Sequence, residues 1–375
     1  MKIGIDARFY AEPGGIGRYL RELIKNLEEI DNKNQYVIFL NQQGFAACQL
    51  TNKNFTKILA DITWYTLKEQ THFTSLIKKT ALDIMHFPHW NAPLNYCGKF
   101  VVTIHDLILL RYSSRRASTL NFFSYLIKNA AYKMVLKNAA RRARMIIAPS
   151  QFTKNDIIKA LKIPKEKVAM IYQGVPDYAL GKTPPADTSF LRRKGITRPY
   201  FLYVGAAYPH KNLERLLAAF KIFRGKYGKD YQLLFVGKEN YFYRRLKNLA
   251  RSIYFDLPVI FTDFVEDTDL NVLYQNAAAF IFPSLYEGFG LPPLEAMARK
   301  TPVLSSNASC LLEILDNAAL FFNPLNPEEM ALKMNLIATD QNLREKLARN
   351  GILNLNRFSF KKCAQLTLQT YKNSV

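Results

Sequence analysis

Short runs of β-branched and aromatic residues alternate with longer segments of helical period along nearly all of this 375-residue chain, and the alternation runs through twice. That pattern points to parallel sheets, because consecutive parallel strands need a crossover of a dozen or more residues. The first series predicts strands at 1–6, 36–40, 83–87, 100–104, 145–148 and 168–172. The second predicts them at 200–204, 232–236, 259–261, 279–282, 302–304 and 320–322. Leu20, Leu23, Ile24 and Leu27, with Tyr19 beside them, form an i, i+3, i+4, i+7 stripe for the first helix. Leu213, Leu216, Leu217 and Phe220 do the same in the second half, and Ser150 is placed to cap a helix over 151–161. The pattern breaks between Pro176 and Pro199, where Gly181, Pro184-Pro185 and Gly195 fall in a stretch of little periodicity. The expected fold is therefore α/β, with two Rossmann-like parallel-sheet domains facing a central cleft. The expected boundaries are 1–181 and 182–357, followed by a terminal helix over 358–375.

The composition is globular, with 49% hydrophobic and 22% charged residues, which excludes a mostly disordered chain. No apolar run reaches the 18 or so residues of a membrane span, and the charged start does not resemble a signal peptide. Cys48, Cys97, Cys310 and Cys363 lie far apart, against a zinc site or a disulfide framework. A soluble cytoplasmic protein is expected. Its net charge of +22 asks for a partner. Between Arg111 and Arg144 stand Arg111, Arg115, Arg116, Lys128, Lys133, Lys137, Arg141, Arg142 and Arg144, with no Asp or Glu. Phe122, Phe123, Tyr125, Leu126 and Tyr132 are interspersed, as on a helix lying peripherally on an anionic membrane. A solvated basic face is the bland alternative. Nucleic-acid binding would use the charge, but no helix-turn-helix, zinc module or RNA-binding signature accompanies it.

Several segments could carry chemistry. Gly14-Gly15-Ile16-Gly17-Arg18 follows the first strand and opens a helix, where free N–H groups and positive potential suit a phosphate. It lacks the G-x-G-x-x-G pattern and the following acid of a dinucleotide site, so a plain strand-to-helix turn fits equally. His105-Asp106 ends a strand, where ligands of open α/β sheets bind; the alternative is a histidine satisfied by Asp106. His86 and His89 end another strand without an apparent third metal ligand, which favours a wall-lining role. Gly205 to Asn212 brings Lys211 to a helix start, a cation for an anionic ligand. Asp267-Thr268-Asp269 suggests a metal–nucleotide site, but Asp267 or Thr268 as an N-cap is the better reading. The most specific segment is Pro283 to Glu295: a strand end, a loop with Gly288 and Gly290, then Pro292-Pro293 at a helix start. Its amides can meet a diphosphate, while Glu287 and Glu295 can accept sugar or ribose hydroxyls.

These segments resemble family four of the retaining, nucleotide-sugar-dependent glycosyltransferases, which have the GT-B fold, over nearly the whole chain. The family's glycine loop is similar to Gly14–Arg18, its strand ending in histidine to Val102–Asp106, and its phosphate-side lysine segment to Tyr203–Asn212. Its two glutamates seven residues apart are matched by Glu287 and Glu295. The resemblance implies catalytic roles for His105 at the reacting centre and Glu287 on the donor sugar, with Glu295 on the ribose. It implies Lys211 on the diphosphate, backbone contacts from Gly15, Gly288, Phe289, Gly290 and Leu291, and Val265 near the base. Gly14, Arg18 and Asp106 would touch phosphate or acceptor. Ala206 departs from an arginine that many members use, which puts more weight on Lys211, Arg18 and the helix end. Arg299-Lys300 replaces a common Cys-Gly pair and is expected to alter the surface only. The implied reaction retains anomeric configuration and needs no metal or other cofactor. The motif wording resembles mannosyltransferase-type members, favouring GDP-mannose as donor and a glycan or lipid-linked acceptor. A UDP-sugar transferase or a nucleotide-sugar epimerase is the alternative.

Overall fold

The computed structural model of this chain describes residues 1–112, 121–181, 189–228 and 230–375. Pro184-Pro185 of the expected linker, the expected boundary at 181/182, and Arg115 and Arg116 of the basic segment reach beyond the described residues. Two compact units are present. The first takes in the described residues up to Gly174 together with Phe358–Val375, and the second Val175–Arg357.

The first unit is built on seven parallel strands: β1 (Lys2–Asp6), β2 (Gln35–Leu40), β3 (Phe55–Leu59), β4 (Ile84–Phe87), β5 (Phe100–Thr103), β6 (Met145–Ala148) and β7 (Val168–Met170). Their spatial order is β3-β2-β1-β4-β5-β6-β7. Successive side chains of a strand point to opposite faces, and here both faces are buried. Tyr36, Ile38 and Leu40 join Ile3, Ile5, Tyr19, Leu23 and the terminal-helix residues Phe360, Cys363 and Tyr371 in one core. Val37 and Phe39 face the other way, into a core with Phe87, Val102, Leu136, Ala140 and Ile157. That two-sided burial explains why these strands read as nearly continuous apolar runs. The expected stripe of helix Gly15–Ile30 is buried throughout, and the Ser150 hydroxyl accepts the Thr153 amide at 3.1 Å as the expected cap.

The terminal helix, Phe360–Lys372, belongs to this unit. A buried polar chain fixes it: Tyr371 Oη lies 2.6 Å from His86 Nδ1, and His86 Nε2 lies 2.8 Å from Thr103 Oγ1. His86 is thus a core residue holding two elements together, which corrects its expected wall-lining role. Strand β3 lies beyond the expected set.

The second unit carries six parallel strands: β8 (Tyr200–Val204), β9 (Gln232–Val236), β10 (Val259–Asp263), β11 (Ala279–Phe282), β12 (Val303–Ser306) and β13 (Ala319–Phe322). They stand in the order β10-β9-β8-β11-β12-β13. Helix Leu213–Tyr227 buries Leu213, Leu216, Leu217 and Phe220 and packs on helix Pro327–Thr339. Helix Asp267–Asn276 differs from expectation at its start: Glu266 is the cap residue, and Asp267 already lies in the first turn. An acid there still suits the positive end of the helix.

Candidate active site

In each sheet the strand order reverses once, between β1 and β4 and between β8 and β11. Loops leaving the carboxyl ends of two such strands diverge and open a crevice, the usual ligand position of a doubly wound sheet.

In the second unit, β8 leads into the lysine loop and β11 into the glutamate loop. The two loops are fastened together. The Leu285 amide donates to the His210 carbonyl at 2.8 Å, and Asn212 Nδ2 donates to the carbonyls of Pro283 (3.1 Å) and Pro324 (2.7 Å). Asn212 adopts a left-handed φ of 63°, which asparagine tolerates better than most residues. On this frame Lys211 Nζ lies 2.6 Å from Glu287 Oε1, with both side chains largely buried. The Glu287 amide donates to Ser309 Oγ at 3.0 Å.

Gly288 and Phe289 are buried in the same loop, and Gly290 turns the chain at φ 97°, a conformation that favours glycine. Leu291 then opens helix Leu291–Ala298, so the prolines occupy its second and third positions rather than its first. Glu295 lies one turn further, 1% exposed, and Tyr274 Oη donates to its Oε2 at 3.1 Å. A carboxylate so held is oriented before any ligand arrives. Val265 is buried just past β10, whereas the neighbouring Phe264 is exposed.

Arg299 does not merely alter the surface. It is buried, and its Nε donates to Asn271 Oδ1 and its Nη1 to the Gly181 carbonyl, each at 2.9 Å. The correction has a simple cause: an aliphatic stem and planar fork can run inward and satisfy internal acceptors. Lys300 adopts φ 60°, with its amide on Met297 and the Thr301 amide on Ala296. This is the helix-ending motif that prefers glycine at the Lys300 position.

In the first unit, Gly14 caps helix Gly15–Ile30 at φ 114°, and open space lies where a Cβ on Gly14 or Gly15 would stand. Arg18 sits half-buried in the first turn. His105 stands just past β5. Its Nε2 lies 2.9 Å from the Pro88 carbonyl, which can only accept, so Nε2 carries the proton. Nδ1 therefore accepts from Gln173 Nε2 at 3.0 Å. Tyr19 meets the ring edge-on at 4.9 Å. Asp106 is not its hydrogen-bond partner; Asp106 accepts the Ile108 amide at 2.9 Å.

Burial pushes His105 down to about 4, only partly opposed by the Pro88 carbonyl, so the ring is neutral near pH 7. Burial, then the nearby His105, pushes His86 and His89 down to about 3. Folded values below the unfolded one mean that the unfolded chain binds more protons as pH falls. The contribution of these three rings is complete above about pH 6.5 and lost progressively towards pH 4, by at most about 1.4 kcal/mol per pH unit for each. The melting temperature should stay nearly level above about pH 6.5 and fall steadily from there to about pH 5; a flat profile over that lower range would contradict the assignment.

The sequence reading missed a buried ion cluster after β1. Arg8 is 0% exposed and donates through Nε and Nη2 to Asp6 (2.8 and 2.7 Å) and through Nη2 to Glu69 (2.6 Å). Asn91 Nδ2 donates to both oxygens of Glu69, at 2.8 and 2.9 Å. The spacing Asp6-x-Arg8 at a strand end was a usable signal; nothing marked Glu69.

Comparison with known proteins bears on both units. The description "Glycosyltransferase Family 4" matches residues 13–177, and "Glycosyl transferases group 1" matches residues 189–353. The O-antigen chain mannosyltransferase B of Escherichia coli is 26% identical over 373 residues, covering 96% of each chain. The O-antigen chain mannosyltransferase RfbU of Salmonella typhimurium is 27% identical over 309 residues, covering 81% of this chain and 80% of that one. Among solved structures, a sucrose-phosphate synthase from Thermosynechococcus elongatus superposes with TM-score 0.77 at 20% identity, over 99% of this chain and 98% of that one. Anabaena HepE in complex with UDP-glucose gives TM-score 0.76 at 18% identity, over 99% of each chain. With the two halves matched by these descriptions and two parallel Rossmann-like sheets in place, the chain belongs to glycosyltransferase family four and has the GT-B fold.

Proposed function

We propose that this glycosyltransferase moves mannose from GDP-mannose to a growing glycan or lipid-linked acceptor, with retention of anomeric configuration. The observation that carries the reading is the Lys211–Glu287 pair at the β8/β11 switch point, with buried Glu295 on the helix that follows the same loop. Lys211 would neutralise charge growing on the departing diphosphate, which is where positioning and electrostatics lower such a barrier. Backbone of the loop 288–291 would meet the same phosphates, Glu287 the sugar hydroxyls, Glu295 the ribose and Val265 the base. In the first unit, His105 is neutral and held at both nitrogens, so its role at the reacting centre is to position rather than to donate a proton. The names of the O-antigen mannosyltransferases support the choice of sugar and an acceptor of the surface-polysaccharide kind. Transfer would persist in chelator, since Lys211 and the amides do the stabilising. The test incubates the chain with GDP-mannose and with UDP-sugars, in the presence of a lipid-linked glycan acceptor, and reads the product anomer by NMR. Transfer from a UDP-sugar alone, or inverted product, would overturn this reading.

A membrane-facing role rests on its own observation. Among the described residues no helix is long and apolar enough to cross a membrane. Helix Phe122–Arg142 carries Lys128, Lys133, Lys137, Arg141 and Arg142 without an acid, and it exposes Phe123, Leu126, Ile127 and Met134. Its opposite side packs Leu136, Ala139 and Ala140 into the core. Exposed apolar side chains among cations suit an anionic lipid surface. Flotation with anionic vesicles at low salt should carry the protein, and equal flotation with neutral vesicles would refute the idea.

A further inference from the structure

The donor reading leaves an aromatic cluster unused at the carboxyl ends of β1, β3 and β4. Trp64 stacks on Phe9 with centroids 4.2 Å apart, and His89 meets Phe9 edge-on at 5.5 Å. Tyr65 lies nearly parallel to Trp90 at 5.4 Å, and its hydroxyl is 3.2 Å from His89 Nε2. Tyr65 is 59% exposed and adopts a left-handed φ of 61°, unusual for an aromatic residue. What holds it there is the buried ion cluster: the Tyr65 amide donates to Glu69 Oε2 at 2.8 Å. The same carboxylate, through Asn91, and His105, through the Pro88 carbonyl, fix the loop that carries His89 and Trp90. Strain maintained by buried charges at a strand end is a feature of ligand sites.

Two polar atoms in this cluster lack partners. Trp64 Nε1 and His89 Nδ1 are shielded from solvent and make no hydrogen bond to any described residue. Shielded groups of this kind ordinarily have a partner, and a bound ligand can supply it. The ligand must offer an apolar face to the rings and hydroxyls to the two nitrogens. Arg8, Asp6 and Glu69, joined to this cluster through the Tyr65 amide, sum to one negative charge, which disfavours a phosphate-bearing ligand and favours a neutral one. We propose that Phe9, Trp64, Tyr65 and His89 form a subsite for one pyranose ring of the acceptor glycan. This deepens the glycosyltransferase reading and rests on it.

The chain has two tryptophans, Trp64 and Trp90, and both stand in this cluster, so intrinsic tryptophan emission reads this site alone. The full chain is titrated with the methyl glycosides of mannose, glucose, galactose and N-acetylglucosamine at millimolar concentrations, and separately with GDP and UDP. At least one glycoside should give a saturable change. Tyr65→Ala, an exposed position, should weaken it about tenfold, and Trp64→Phe should weaken it while keeping a ring in place. Silence towards all four glycosides, a response to nucleotide alone, or undiminished affinity in Tyr65→Ala would overturn the subsite. Calorimetry with GDP tests the donor site separately: if GDP fails to bind while a glycoside does, the donor reading falls and the subsite stands.

Discussion

Lys211→Ala is expected to slow sugar transfer by about two to three orders of magnitude, the usual cost of removing one preorganised donor from a developing anion. The reason lies in how little else is available. The loop that follows β8 offers Ala206 and Lys211, and the lysine is already drawn in, 2.6 Å from Glu287 and 5.6 Å from the centre of the Phe282 ring. Nearly dry surroundings would strengthen its field at the phosphates of the proposed donor relative to a lysine in water. The substitution also leaves Glu287 without its cation, so a melting curve is recorded beside the kinetics. A loss of less than tenfold in a protein that still melts normally would remove Lys211 from the reaction.

Arg8→Met should destabilise the first unit by about 3–5 kcal/mol, because it strands the carboxylates of Asp6 and Glu69 in the interior. Burial alone would lower the Arg8 pKa, but the two carboxylates outweigh it and hold the guanidinium above its ordinary value. The matched variant Arg8→Met/Glu69→Gln removes one of the stranded charges and should recover part of the loss. Urea denaturation of both variants measures the effect. If Arg8→Met melts like the parent, the cluster is not a structural anchor.

Much of the architecture was legible because both faces of each sheet are covered. Strand Tyr200–Val204 is apolar from end to end and Gln232–Val236 is so after its first residue, and the helix Leu213–Tyr227 between them carries a single clean stripe. Strand β3 was not legible because it pairs only with β2: Thr56 and Leu59 are exposed, and the run Phe-Thr-Lys-Ile-Leu shows no clean period. The start of helix Asp267–Asn276 was misread by one residue because several acids crowd the same turn. Arg299 was misread for a different reason: charge suggests surface, and only the structure shows acceptors placed to receive it inside.

At the site, local spacing revealed the glutamate loop and the lysine loop separately. Their union was hidden, because Lys211 and Glu287 are 76 residues apart and meet only where β11 lies against β8. Arg8 and Glu69 are likewise 61 residues apart, with no shared motif to join them.

In the proposed function, one nucleotide-sugar is read at this switch point by two carboxylates with different tasks. Calorimetry with GDP alone, on the parent chain, Glu295→Ala and Glu287→Ala, tests it most directly. Glu295→Ala should weaken GDP by about one to two decades, since a hydrogen bond to a charged group is worth about 1.5–3 kcal/mol. Glu287→Ala should leave GDP affinity intact while depressing transfer, because the contact proposed for it is with the sugar. Equal losses in both variants would refute the division of tasks, and no loss in either would place the donor elsewhere.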